Sequence, residues 1–298
     1  MKVLIKRKIS RKNLEKIKEC GAEITRGYDA KAALVENRFE NIKKYKDLKW
    51  VHTSFVGVDS LLTDEIKNSD IIVTNSRGMR TPVPEHALAL ILSFERKLNE
   101  AFVSKQKNEW NRIDAGEVSG KTVFILGLGA IGLEIARLCK ALGCRVLGIN
   151  REPIKSSCVD RICMPDKLRH MLPEADYVVA CLPLTSETRH MLGKREFSIM
   201  KKSAVVVNVG RGPVVDENAL VEALRKRQIA GACLDVFENE PLPKSSLLWK
   251  MKNVIITAHY ASRTPHYEDR MIEIFCKNLR AFKSGSRLIN IVDKKNGY

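Results

Sequence analysis

The chain has 298 residues, enough for two domains with separate cores. A hydrophobic share of 44% with 29% charged residues fits a globular protein and excludes an intrinsically disordered one. No apolar run reaches the length of a membrane span, so no membrane partner is expected.

The net charge of +17 raises anionic ligands and nucleic acid as partners. Residues 1–49 alone hold 15 Lys or Arg against 7 Asp or Glu. Yet these lysines scatter along amphipathic segments with no aromatic-interleaved basic motif. A solvated Lys-rich surface is the favoured reading, and nucleic-acid binding is not expected. The eight cysteines lie mostly within apolar segments and form neither a C-x-x-C pair nor a cluster with histidines. Reduced thiols of a cytoplasmic protein without a metal site are the simplest reading.

In chain order, Lys2–Lys6 reads as a first strand rather than the start of a signal peptide. Ser10 can cap a helix from Arg11 to Cys20, closed by Gly21. Ala32–Glu36 and Trp50–Thr53 read as strands separated by a Lys-rich helical stretch. Ser54–Asp59 is a glycine-bearing loop directly after a strand, where open α/β sheets bind ligands. Ile71–Thr74 is a further strand, and the loop after it carries Asn75, Arg77 and Arg80. A long helix is predicted from about Val83 through Gln106, with the first domain boundary inside it.

Lys121–Gly132 organises the rest. Thr122–Leu126 is an apolar, β-branched run suited to a strand buried on both faces. Gly127, Gly129 and Gly132 have the G-x-G-x-x-G spacing, and Leu133–Leu142 follows at helical periodicity. The first glycine permits a tight turn and the second lets the backbone approach a pyrophosphate. The third lets helix and strand pack closely, with phosphates at the helix N-terminus beside Ala130 and Ile131. Further strands follow at Arg145–Ile149, Tyr177–Cys181, Ala204–Asn208, Ala230–Leu234 and Val254–Thr257, with a helix over Asp216–Arg227 capped by Asp216. Strands alternating with helices predict doubly wound parallel sheets.

Polar residues recur just past the strand ends: Arg211, Asp235, Glu240 and His259. An Arg, a Glu and a His gathered beside a dinucleotide suit hydride transfer to a 2-keto acid. The Arg fork can hold a carboxylate, the His can protonate the carbonyl oxygen, and the Glu can fix the tautomer. Each has a plainer alternative. Arg211 could neutralise phosphate, Glu240 could be a turn carboxylate, and His259 could be a satisfied histidine at a sheet end. Glu238 competes with Glu240, and spacing does not choose between them. His86 reads as a helix-start residue; His52, His170, His190 and His266 show no partner pattern.

Seven stretches together resemble the D-isomer-specific 2-hydroxyacid dehydrogenase family: FVGVDS, TNSRG…TPVPEHALAL, GKTVFILGLGAIG, ACLPLTSETRHMLG, VVVNVGRGPVVDENALVEAL, GACLDVFENEPLP and NVIITAHYAS. They run from about Ser54 to Ser262. The resemblance implies a Rossmann dinucleotide domain (95–266) inserted into a flavodoxin-like substrate domain (1–94 and 267–298), with the active site in a closing cleft and a homodimer formed through the dinucleotide domain. It implies Arg211 as the substrate-carboxylate arginine, His259 as the catalytic acid/base and Glu240 as its partner. Asp235 would hold the nicotinamide carboxamide. Pro183, Leu184, Thr188, Val209, Gly210 and Ala261 would complete the cofactor site. Val56, Gly57 and Val58 would receive the substrate carboxylate.

The chain departs from an NAD-type pattern at the end of its second dinucleotide strand. An acid is expected there for the ribose 2′-hydroxyl, whereas Asn150 and Arg151 are present. Arg151 can clamp a 2′-phosphate, so NADP(H) is the expected cofactor, with NAD as the alternative. Arg77 could recognise a second anionic group or be a solvent-facing loop charge. The expected activity is an NADP(H)-preferring 2-keto acid reductase of the glyoxylate or hydroxypyruvate class. An NAD-dependent phosphoglycerate-type dehydrogenase and a non-catalytic dinucleotide sensor or corepressor are the alternatives.

Overall fold

The computed structural model describes residues 1–36, 38–77 and 81–297. The chain divides into two compact units, Met1–Met79 with Arg263–Tyr298, and Arg80–Ser262.

The smaller unit begins with β1 (Lys2–Lys6), α1 (Arg11–Glu19), β2 (Glu23–Thr25), β3 (Ala32–Val35), β4 (Trp50–Thr53), α2 (Asp64–Lys67) and β5 (Ile72–Asn75). Ser10 caps α1 as its spacing predicts, accepting the Asn13 N–H at 3.4 Å. The strands form an all-parallel sheet in the order β2-β1-β3-β4-β5, which is the flavodoxin-like arrangement. Side-chain alternation sorts the strand residues into two layers. Leu4, Ala33, Val35, Val51 and Val73 lie in one, and Val3, Ala32, Leu34 and Trp50 in the other. The Lys-rich stretch between β3 and β4 is not the predicted helix. It holds only a short 3-10 turn, Ile42–Lys44. Its buried anchors Phe39, Ile42, Tyr45 and Leu48 tie it to the core as an irregular segment, and Asn41 adopts φ +56°.

The larger unit holds α3 (Pro82–Glu95), α4 (Leu98–Gln106), β6 (Thr122–Leu126), α5 (Ala130–Ala141), β7 (Arg145–Ile149), β8 (Arg161–Cys163), α6 (Leu168–Met171), β9 (Tyr177–Ala180), α7 (Lys194–Ile199), β10 (Val205–Asn208), α8 (Glu217–Arg225), β11 (Gly231–Leu234) and β12 (Val254–Ile256). The final helix, α9 (Tyr267–Ser284), belongs to the smaller unit. There Phe275 and Phe282 stack on Trp50.

The single long helix predicted over 83–106 is two helices. Lys97 at φ +57° breaks the run between α3 and α4. The junction between units precedes α3 instead of falling inside it. Val83, Ala87, Leu90 and Ile91 of α3 are buried with Ile135, Ala136 and Cys139 of α5, so the whole helix is committed to the larger unit's core.

The larger sheet is parallel throughout, in the order β12-β11-β10-β9-β6-β7-β8. This is the Rossmann order with one added strand. The chain runs outward from β6 to β7 and β8, then returns to β9 on the other side. The crevice beyond β6 and β9 is therefore the topological switch point, where this architecture takes its ligand.

Candidate active site

At the switch point β6 ends in the glycine turn. Gly127 has φ +96°, a conformation that favours glycine, and its N–H donates to the Ile149 carbonyl at 3.1 Å. A Cβ on Gly132 would sit 1.9 Å from the Gly127 carbonyl oxygen, so only glycine lets α5 pack this close to the strand end. A Cβ on Gly129 would meet nothing within 4 Å, which leaves open space over the turn. No side chain caps α5, and its first intrahelical bond runs from the Leu133 N–H to the Gly129 carbonyl. The amides of Ala130, Ile131 and Gly132 come before that bond. Open space faced by helix N-terminal amides fits a dinucleotide pyrophosphate.

The loops on either side of β6 flank this cradle. After β7, the Asn150 side chain donates to the Glu152 carbonyl at 2.9 Å. Arg151 pairs with Glu187, Nη2 to Oε2 at 2.6 Å. Glu187 lies in the segment after β9, where Thr188 Oγ1 donates to the Pro183 carbonyl at 2.7 Å and accepts the Thr185 N–H at 2.8 Å. This self-bonded loop also carries Leu184. After β10, Val209 is buried, and a Cβ on Gly210 would fall 2.8 Å from the Leu182 carbonyl oxygen, so the two loops are in close approach.

Arg211 follows. Its Nη1 donates to the Gly210 carbonyl at 2.8 Å, and its own carbonyl accepts from Asn208 Nδ2 at 3.0 Å. A Cβ on Gly212 would lie 1.9 Å from the Phe237 carbonyl, which brings the Arg211 loop against the loop after β11. That second loop holds Glu240, whose Oε1 accepts the Phe237 N–H at 3.0 Å. Glu240 Oε2 lies 2.6 Å from His259 Nδ1. Glu238 is engaged elsewhere, with Oε1 2.8 Å from His190 Nε2 and accepting the Glu217 N–H at 3.1 Å.

Charge follows this geometry. The Glu240 bond raises the His259 pKa above its usual 6.5, against burial and the positive field of Arg211. Burial pushes the Glu240 carboxyl up, but His259, the Phe237 N–H and Arg211 outweigh it and hold the pKa below 4.5. The arrangement thus favours an imidazolium held by a carboxylate.

Asp235, fully buried, shapes the backbone around His259. Its Oδ1 accepts the Thr257 hydroxyl at 2.6 Å and the Tyr260 N–H at 3.1 Å, and its Oδ2 accepts the Ala261 N–H at 3.1 Å. The His259 N–H donates to the Asp235 carbonyl at 2.8 Å, and His259 itself has φ +49°. Sequence reasoning missed the part of His86 in this group. His86 on α3 bonds through Nε2 to Thr257 Oγ1 at 2.9 Å, and its ring meets Tyr260 edge-on. The only available signal was a histidine in the first turn of a helix after two prolines.

The D-isomer specific 2-hydroxyacid dehydrogenase, NAD binding domain, matches residues 88–261, and this stretch carries the glycine cradle, Arg211, Glu240 and His259. The chain belongs to that family. It is an NAD(P)-dependent oxidoreductase acting on the CH–OH group of 2-hydroxy acids. Glyoxylate reductase of Thermococcus litoralis is 35% identical over 298 residues, covering 94% of this chain and 86% of that protein. The D-isomer specific 2-hydroxyacid dehydrogenase from Xanthobacter autotrophicus Py2, in complex with NADPH and MES, superposes with TM-score 0.89 at 29% identity, covering 99% of each chain. The NADPH-dependent glyoxylate/hydroxypyruvate reductase of Sinorhizobium meliloti, in complex with NADP and sulfate, gives 0.88 at 28% identity and covers 100% of this chain and 99% of its own.

Within the smaller unit, the remaining residues expected at the site lie on loops at strand ends. The Val56–Val58 loop follows β4 and is tied to β5 by Asn75, whose Nδ2 donates to the Val56 carbonyl at 2.7 Å. Arg77 is exposed, with its N–H bonded to Asn75 Oδ1 at 3.2 Å and its carbonyl to Asn290 Nδ2. Arg80 lies outside the described residues.

Proposed function

We propose that this dehydrogenase is an NADP(H)-preferring 2-keto acid reductase of the glyoxylate or hydroxypyruvate class, with His259 as its acid/base. The observation that carries the reading is the 2.6 Å contact between His259 Nδ1 and Glu240 Oε2, with Arg211 close enough to perturb both groups. Glu240 holds Nδ1, so the exchangeable proton sits at Nε2, which has no bond among the described residues. His259 delivers that proton to the substrate carbonyl oxygen, or accepts it from a hydroxyl in the reverse direction. Arg211 binds the substrate carboxylate with its fork, which fixes the reacting carbon. A dinucleotide held at the glycine turn would supply or accept the hydride.

Gly127, Gly129, Ala130, Ile131 and Gly132 would hold the pyrophosphate. Pro183, Leu184, Thr188, Val209, Gly210, Asp235 and Ala261 would line the rest of the cofactor site. Asn150 and Arg151 in place of an acid support the NADP preference, as do the relatives crystallised with NADP or NADPH. On the smaller unit, the amides of Val56, Gly57 and Val58 are proposed as carboxylate donors, and Arg77 as a reader of a second anionic group. Relatives named glyoxylate reductase support the small substrate.

A homodimer and a cytoplasmic location complete the proposal. Helix α4 buries none of its residues; Leu98 and Phe102, one turn apart on it, and Trp110 beyond its end are exposed apolar side chains suited to a second copy. The cysteines are free thiols. The deciding experiment follows NADPH and NADH oxidation with glyoxylate, hydroxypyruvate and larger 2-keto acids. Faster turnover of glyoxylate or hydroxypyruvate with NADPH is expected; preference for NADH or for a phosphorylated substrate overturns the reading.

A further inference from the structure

We propose that His86 is a positioning residue for His259, acting through a hydrogen bond to Thr257. The inference rests on the acid/base role of His259 given above and adds a residue that lies outside the catalytic set.

The donor order is fixed by the partners. The Asp235 carboxylate can only accept, and it lies 2.6 Å from Thr257 Oγ1, so the single Thr257 proton goes to Asp235. Thr257 Oγ1 must then accept at its other contact, and the hydrogen there is carried by His86 Nε2 at 2.9 Å. The chain of donation runs from His86 to Thr257 to Asp235. It is supported by the state of the ring. Burial lowers the His86 pKa, and although the Asp235 charge opposes this, the group stays below its usual value. His86 is therefore a neutral imidazole near neutral pH, with one hydrogen to place, and the bond to Thr257 places it on Nε2.

The other end of this chain is the backbone that presents His259. Asp235 accepts the Tyr260 and Ala261 amides with its side chain and the His259 amide with its carbonyl. His259 has φ +49°, a conformation that strains a non-glycine residue and persists only when its surroundings over-determine it. The Asp235 bonds supply one part of that constraint, and His86 supplies another. His86 touches the same segment twice, at Thr257 by hydrogen bond and at Tyr260 by ring contact, with centroids 5.2 Å apart and planes at 74°. These contacts bracket His259 on both sides. Because α3 is packed into the core through Ala87, Leu90 and Ile91, His86 provides a rigid anchor for the strained turn. Its loss leaves Asp235 and Thr257 bonded to each other, but frees the turn to relax toward negative φ and swing the imidazole away from Glu240.

The test separates this from a purely structural histidine. His86→Phe keeps a ring against Tyr260 and removes the donor, whereas His86→Gln keeps a donor at the position of Nε2. The expected result for His86→Phe is a kcat lowered about 10- to 100-fold, with KM for the keto acid and Kd for NADPH little changed. The His259 titration midpoint, followed by NMR on histidine-labelled protein and assigned with His259→Gln, should fall toward 6.5. His86→Gln should restore both. Thr257→Val should reproduce His86→Phe, and the double variant should be no worse than the single. Thr257→Val carries the same test where His86→Phe does not fold.

An unchanged His259 midpoint in His86→Phe overturns the proposal, as does a glutamine variant as impaired as phenylalanine, or additive effects in the double variant. The midpoint needs no turnover. Retained activity in His259→Gln would remove the acid/base reading alone, while the midpoint would still report whether His86 positions the ring.

Discussion

His259 Nδ1 and Glu240 Oε2 lie 2.6 Å apart, although their residues stand on loops after two different strands. The bond is the largest cause of the raised His259 pKa. A raised pKa keeps the imidazolium charged to higher pH than a free histidine. Reduction consumes that proton, so its rate should hold at lower pH and fall as pH rises through the raised value. Oxidation of the 2-hydroxy acid should show the opposite limb. Glu240→Gln removes the raising partner and should move both limbs to lower pH, read from kcat/KM against pH in each direction. His259→Ala should lower kcat about 10²- to 10⁴-fold with NADPH binding retained. Limbs that ignore Glu240→Gln would assign the titration to another group.

Arg211 tests carboxylate recognition. A lysine keeps the charge but cannot form the two parallel bonds of the guanidinium fork. Arg211→Lys should lose roughly 10- to 100-fold in kcat/KM for the keto acid, mostly through KM, with Kd for NADPH unaffected, in keeping with a charge-assisted pair of about 1.5–3 kcal/mol. Equal loss toward a keto compound lacking the carboxylate would contradict the role.

Arg151 is engaged by Glu187 across the loops flanking the glycine turn. A 2′-phosphate must compete with that carboxylate. Both side chains are substantially exposed, so the competition is modest, consistent with surface ion pairs. Glu187→Gln should tighten NADPH about two- to fivefold, since such pairs contribute below about 1 kcal/mol, and leave NADH unchanged. Arg151→Ala should weaken NADPH selectively. Fluorescence titration of both nucleotides reads each effect without turnover.

Helix α4 gives a prediction about assembly. Phe102→Glu places a charge in the exposed apolar face and should shift the mass measured by light scattering from dimer toward monomer. A wild-type monomer at micromolar concentration would remove the dimer proposal.

His52 is fully buried on β4 between Thr74 and Ser76, and burial drives its pKa down to about 3. The unfolded chain titrates this group near 6.5, so it takes up the proton first. Stability present above about pH 6.5 should therefore be lost as pH falls through that value toward 3, by up to roughly 5 kcal/mol at 1.36 kcal/mol per pH unit. Chemical denaturation at pH 7 and pH 4.5 measures the loss, and His52→Gln should flatten the dependence.

Much of the candidate site was legible because its residues follow strand ends. The glycine spacing marked the cradle, and Arg211, Asp235, Glu240 and His259 each stood just past an apolar run. What spacing could not do was choose between Glu238 and Glu240. Two residues apart on an irregular loop, they diverge to different histidines, a matter of backbone path and not of residue type. The role of His86 was illegible for a related reason. Its partner Thr257 is 171 positions away, and nothing local distinguishes it from a residue that merely begins a helix. In the fold, edge strands β2 (EIT) and β8 (RIC) were missed because each is short and opens on a charged residue, whereas the equally short β12 (VII) is apolar throughout. The predicted helix between β3 and β4 failed because its apolar anchors satisfy a wrapped loop as well as they would a helix face.

The stacking of Trp50 on Phe275 and Phe282 imposes an order on biosynthesis. Strands β1 to β5 leave the ribosome long before α9, and residues 80–262 must be made in between. At 5–20 residues per second that interval is roughly 10–40 s. During it the nucleotide-binding unit, contiguous in the chain, has every residue it needs to fold, while one face of the small sheet, covered only in part by α1, waits with a tryptophan on it. A chaperone or a stalled nascent chain would meet the protein in that half-finished state, and the last helix is the step that closes it.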